Sequence, residues 1–188
     1  MKYYLLPFVA YLLVSPVINF LFQDLFLAYA LSTVIVGILI LLFWQKFELK
    51  FKFDIWAIIA GVLIFLCWIL LEGKYPLFFI AAKIFPANTI QLIIRFVGFV
   101  IVTPLIEELF TRGFLIRFLV SEKWQKVQAG KFTWLSFVVT VLFFGFSHAE
   151  WLQGIVAGII LNLLYYRSKN VSSCILAHSI ANLLLFLI

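Results

Sequence analysis

Few residues in this chain can do chemistry, and they fall in three short stretches. From Thr103 to Leu115 the sequence reads TPLIEELFTRGFL, with two adjacent glutamates and an arginine. The only two histidines sit in FFGFSHAE, which holds His148, and in AHSIAN, which holds His178 and Asn182. A carboxylate screened from water can take a proton as a general base. An imidazole and a carboxamide can direct hydrogen bonds into one small volume.

Helical spacing sorts these groups. Glu108 and Arg112 are four apart, share one helix face and should form an ion pair. Glu107 points about 100° away from Glu108 and cannot share that role. One carboxylate is therefore structural and the other is free for chemistry. Phe144 and His148 share a face in the same way, as do His178 and Asn182. Each group also has a purely architectural reading. A Glu–Arg pair can tie two helices together, and a histidine can be a satisfied core group. Phe144 is one of 23 phenylalanines, and Arg95 can snorkel towards the membrane surface.

The elements that must position these residues follow from composition. The chain has 188 residues, 66% of them apolar and 12% charged, where a soluble domain has about 25% charged. Its mean hydropathy is +1.19. No soluble core of this size hides so much apolar surface, so the solvent is lipid. The expected fold is an all-α, polytopic transmembrane bundle of about seven spans, forming one membrane-embedded domain over 1–188. At about 20 residues per span, the expected helices are 4–22, 25–44, 55–71, 89–120, 132–149, 151–166 and 171–188. The N-terminal run reads as a retained span rather than a signal peptide. Pro7 and Pro16 should bend the first helix and Pro104 should kink the fourth. Asn88 is placed to cap that fourth helix. Residues 72–88 read as a loop with an interfacial helix. Cys67 and Cys174 lie in apolar runs and read as small buried hydrophobes.

The net charge of +6 comes from lysines and arginines spread over short loops. That pattern fits anionic lipid headgroups as partners, not nucleic acid. Alternating seven spans puts Lys2, Lys46, Lys50, Lys52, Arg117, Lys123, Lys126, Lys131, Arg167 and Lys169 on one side, and only Lys74 and Lys83 on the other. The positive-inside rule then expects a multi-pass protein of the cell membrane, N-terminus cytoplasmic and C-terminus outside. Once the loops are set aside, Arg95, Glu107, Glu108, Arg112, His148 and His178 are the ionisable groups left at membrane depth. Such groups are costly there and mark function by default.

EELFTR, FGFSH and HSIAN match the patterns EExxxR, FxxxH and HxxxN in order, on three separate spans. In these motifs the sequence resembles the CAAX protease and bacteriocin-processing (CPBP, or Abi) family of intramembrane proteases, which includes the type II CAAX prenyl endopeptidases. The resemblance covers roughly residues 102–182, within a protease core of about 89–188. It implies an intramembrane endopeptidase acting on a membrane-associated or lipidated peptide or protein. Glu107 would activate a water, with His148 helping to hold it. His178 and Asn182 would form the oxyanion hole. Glu108 and Arg112 would shape the site, and Phe144 would pack beside the histidine. The chain is short, so prenylation of the substrate stays open. The resemblance favours a mechanism with no cofactor. Zinc on Glu107, His148 and His178 is the open alternative. A non-catalytic immunity or scaffolding protein of the same fold is the competing function. A proton-coupled transporter would use the same groups, but no inverted repeat is evident. Glu107, His148, His178 and Asn182 should converge on one polar cavity. Counting at about 1.5 Å per residue, however, puts Glu107 roughly 16 Å deep, His178 roughly 10 Å and His148 roughly 24 Å.

Overall fold

A segment crossing hydrocarbon must satisfy its backbone polar groups internally, and an α-helix does so within one segment. The computed structural model describes residues 1–80 and 86–188, and these form seven helical rods and no strand. They are α1 (Lys2–Phe22), α2 (Leu25–Leu42), α3 (Ile55–Leu71), α4 (Thr89–Val120), α5 (Trp134–Phe146), α6 (Trp151–Ser168) and α7 (Val171–Phe186). Asp24, Asp54, Asn88, Thr133 and Asn170 each accept a first-turn N–H, which stops the chain from fraying at those starts. Asn88 takes the role expected of it, accepting from Gln91 at 3.0 Å.

The outside of the rods is apolar, and the few polar groups of the interior are turned inward among apolar side chains. Phe20, Leu41, Leu70 and Ile90 face outward, while Glu108, Arg112, Thr140 and Asn162 are fully buried. That inversion is what lipid selects, because charge is costly at its surface. Helices α1, α2 and α4 are each long and apolar enough to cross a membrane by themselves. The chain is a helical membrane protein.

Two expectations change, and Pro104 is accommodated locally. Helix α5 is shorter than its apolar run and ends at Phe146, because Ser147 and His148 leave the helix in a tight turn. The fourth helix widens into a π-helical turn at Val97–Val102, which holds the carbonyl that Pro104 displaces, and again at Leu109–Leu115. Proline has no N–H, and its ring pushes away the carbonyl four residues back; a wider turn absorbs both effects. Residues 72–80 form turns and bends with no helix; the rest of the expected interfacial helix, with Lys83, falls at 81–85, outside the described residues.

Helix α4 runs through the bundle and touches α1, α2, α5 and α7. It separates two cores. One gathers Tyr4, Phe8, Val36, Ile106, Phe110 and Phe114 from α1, α2 and α4. The other gathers Ala57, Ile64, Phe144, Leu161, Tyr165 and Ala177 from α3, α5, α6 and α7. Helices α5 and α6 meet backbone to backbone: a Cβ on Gly154 would lie 3.0 Å from the Gly145 Cα.

The loops sort by end as an alternating bundle requires. Arg117 bonds Glu48 at 3.1 Å and the carbonyls of Gln125 and Val127. The Asn170 amide donates to the Lys50 carbonyl at 2.8 Å. The basic loops thus gather at one end. At the other, Trp151 Nε1 donates to the Pro76 carbonyl and the Phe78 N–H to the Ala149 carbonyl.

Candidate active site

The two glutamates sit at the end of the short α-helical turn Thr103–Glu108, between the two π-helical turns. Being adjacent, they point into different halves of the bundle. Glu108 enters the core of α3, α5, α6 and α7. Glu107 looks towards α1 and α5.

Glu108 is held on two sides. Arg112 Nη1 donates to Oε1 at 3.1 Å and lies 3.1 Å from Oε2 as well. His178 Nδ1 stands 3.0 Å from Oε1. A carboxylate accepts, so the hydrogen in that bond sits on Nδ1 and Nε2 is left as the ring's other nitrogen. Both Glu108 and Arg112 have 0% exposed side chains. A guanidinium so buried needs partners for its N–H groups. Nε donates to Asn162 Oδ1 at 3.0 Å, Nη1 also to Thr111 Oγ1 at 3.0 Å, and Nη2 to the Gly158 carbonyl at 3.2 Å. Asn162 is fixed in turn by its own donation to Thr140 Oγ1 at 2.9 Å. The guanidinium also lies over the Phe144 ring, 4.7 Å from its centroid.

Glu107 is placed differently. Tyr11 donates to its Oε1 at 3.1 Å. Its Oε2 is buried with no hydrogen-bond partner among the described residues and faces His148 Nε2 across 3.9 Å. That separation is too long for a direct bond. The other nitrogen of His148, Nδ1, is 2.6 Å from the Phe144 carbonyl. A carbonyl only accepts, so Nδ1 carries the hydrogen and a neutral His148 presents a lone pair at Nε2. Trp68 of α3 meets the ring edge-on, with centroids 5.7 Å apart. Beside Glu107 a small cavity opens between α1, α4 and α5, walled by Phe8, Tyr11, Leu12, Phe143 and Phe144.

The structure therefore brings Glu107 to His148, and Glu108 to Arg112 and His178. Phe144 lies between the two imidazoles, with centroids 4.8 Å from His148 and 5.6 Å from His178. Asn182 stands one turn beyond His178 on α7 and donates to the Phe99 carbonyl at 2.8 Å. Among the described residues no hydrogen bond joins Asn182 to either glutamate. Glu107 and His148 come within 3.9 Å of each other despite the unequal depths counted along their helices.

Four residues at the site were not anticipated: Tyr11, Thr140, Asn162 and Trp68. Asn162 had a signal, a carboxamide in the middle of an apolar helix. Tyr11 had a weaker one, the stripe Tyr4, Phe8, Tyr11 at helical spacing. Among the described residues no three His, Cys, Asp or Glu side chains are grouped to hold a metal ion. His178 spends Nδ1 on Glu108 and keeps Nε2 free.

A family model described as type II CAAX prenyl endopeptidase Rce1-like matches residues 89–184, just over half of the chain. No curated protein and no solved structure matches it.

Proposed function

The chain belongs to the type II CAAX prenyl endopeptidase Rce1-like family, and on that premise we propose that it hydrolyses a peptide bond in a membrane-associated or lipidated peptide through a glutamate-activated water. One observation carries this reading: Glu107 lines a cavity, and its Oε2, with no hydrogen-bond partner among the described residues, faces His148 Nε2 across 3.9 Å.

A water about 2.8 Å from each atom fills that gap with ordinary hydrogen bonds. It donates one hydrogen to Oε2 and the other to Nε2, which turns an oxygen lone pair towards the cavity. Glu107 takes a proton as the water oxygen bonds to the carbonyl carbon of the substrate. The carbonyl oxygen becomes an oxyanion. His178 and Asn182, one turn apart on α7, supply its donors. Because the Nδ1 hydrogen is committed to Glu108, His178 donates from Nε2 only as the imidazolium, with Glu108 as its counter-ion. When the intermediate collapses, the C–N bond breaks and the proton on Glu107 passes to the leaving nitrogen. The products are a carboxylic acid and an amine, and Glu107 is again a carboxylate. Glu108 and Arg112 move no proton; they hold His178 in place. Loop charge would put the basic end of the bundle in the cytoplasm.

The test is Glu107→Gln in proteoliposomes, assayed on a farnesylated peptide and on its unlipidated counterpart. The variant keeps the size of the side chain and removes the base. The expected result is an unchanged fold with cleavage abolished. Full cleavage by the variant would overturn the mechanism. A wild-type chain that binds the peptide without cutting it would favour the immunity or scaffolding alternative.

A further inference from the structure

Helix α1 lies outside the matched residues 89–184, yet it reaches the candidate base. Three rungs join it to α4. Tyr4 stacks on Phe114, with centroids 6.2 Å apart and planes 22° apart. Phe8 stacks on Phe110 at 3.8 Å and 4°. Tyr11 donates to Glu107 Oε1 at 3.1 Å. Steps of four and then three residues up α1 match the same steps down α4. This is one antiparallel register, held by the i, i+4, i+7 faces of both helices. Gly113 lets α1 approach, since a Cβ there would meet Tyr4 at 3.0 Å. The aromatic rungs therefore fix where the third rung falls, and that rung is the hydroxyl on Glu107.

The consequence is a carboxylate with two unlike oxygens. Oε1 is occupied by the phenol, while Oε2 has no protein partner and faces His148. Without the Tyr11 bond, no hydrogen bond among the described residues holds Oε1, and the carboxylate can turn about its terminal torsion, which is broad. We propose that Tyr11 is a positioning residue of the site, supplied by the N-terminal helix, whose hydroxyl holds Glu107 so that Oε2 faces His148. This rests on the hydrolytic reading given above.

Tyr11→Phe tests it, because the ring stays in the ladder and only the hydroxyl goes. Full-length protein in proteoliposomes should keep its helicity, its melting temperature and its KM. Its kcat should fall roughly 10- to 100-fold, the scale on which misplacing a reacting group acts. Para-aminophenylalanine at position 11, an N–H donor of similar reach, should recover most of the loss. An unchanged kcat in Tyr11→Phe overturns the proposal. So does a loss that tracks melting temperature and is not recovered by the donor analogue, since that is a packing role. Glu107→Gln runs beside it. If that variant cleaves normally, or the wild type does not cleave at all, the hydrolytic reading fails and this inference fails with it. If Glu107→Gln is inactive and Tyr11→Phe is normal, only the inference about Tyr11 fails.

Discussion

Arg112 is a cation sealed from water, and what surrounds it decides what it is for. Its guanidinium donates to Glu108, Thr111, Asn162 and the Gly158 carbonyl. Breaking a buried ion pair by removing one partner leaves the other charge uncompensated, at about 3–5 kcal/mol. Arg112→Ala should therefore destabilise the bundle by about that amount in detergent unfolding. Arg112→Lys keeps the charge but not the planar fork, so Asn162 and Gly158 lose their donors. It should fall between wild type and Arg112→Ala. A lysine variant as stable as wild type would show that charge alone, and not the fork, holds the site.

Between elements, the site depends on how closely two helices approach. His148 follows α5 in a tight turn and points back by donating to Phe144. Helix α5 is held to α6 where Gly145 and Gly154 touch. A Cβ on Gly154 would lie 3.0 Å from the Gly145 Cα, 3.1 Å from its carbonyl oxygen and 3.2 Å from the Phe144 oxygen. These neighbours are backbone and cannot turn aside, so Gly154→Val must push the helices apart. Overpacking of this kind costs about 1–3 kcal/mol. Because the Phe144 carbonyl anchors His148, cleavage should fall further than stability does. Paired measurements of melting temperature and kcat check this; a normal kcat in Gly154→Val would uncouple the glycine contact from the site. The π-helical turns of α4 act at the same scale. They bracket Glu107 and Glu108, and the first holds the carbonyl of Val100, four residues before Pro104.

Across the whole molecule, α4 divides the bundle and its two glutamates serve different halves. Glu107 looks to α1 and α5, and Glu108 to α6 and α7 through Arg112 and His178. Among the described residues no three His, Cys, Asp or Glu side chains are grouped to hold one metal ion. Exhaustive treatment with a chelator should therefore leave the cleavage rate of purified protein unchanged. Stoichiometric zinc, with activity lost on its removal and restored on its return, would overturn the glutamate mechanism while leaving a peptidase in place.

What this sequence determined by itself is what local physics imposes. Lipid demands long apolar runs, so the helices could be placed, and α3 and α4 have the bounds read from composition. Glu108 and Arg112 were legible as a pair because four residues along one helix fix their geometry. Glu107 was separable from Glu108 because neighbours on a helix diverge. What only the tertiary structure decided is everything that crosses between helices. Tyr11 and Glu107 are 96 residues apart, and Arg112 and Asn162 are 50 apart. In a membrane the faces that pack on protein are as apolar as those that face lipid. Hydrophobic periodicity therefore does not say which face meets which helix, or in what register. Depth counted along separate helices misled for the same reason: the true start of α5 and the stagger between rods are set by packing.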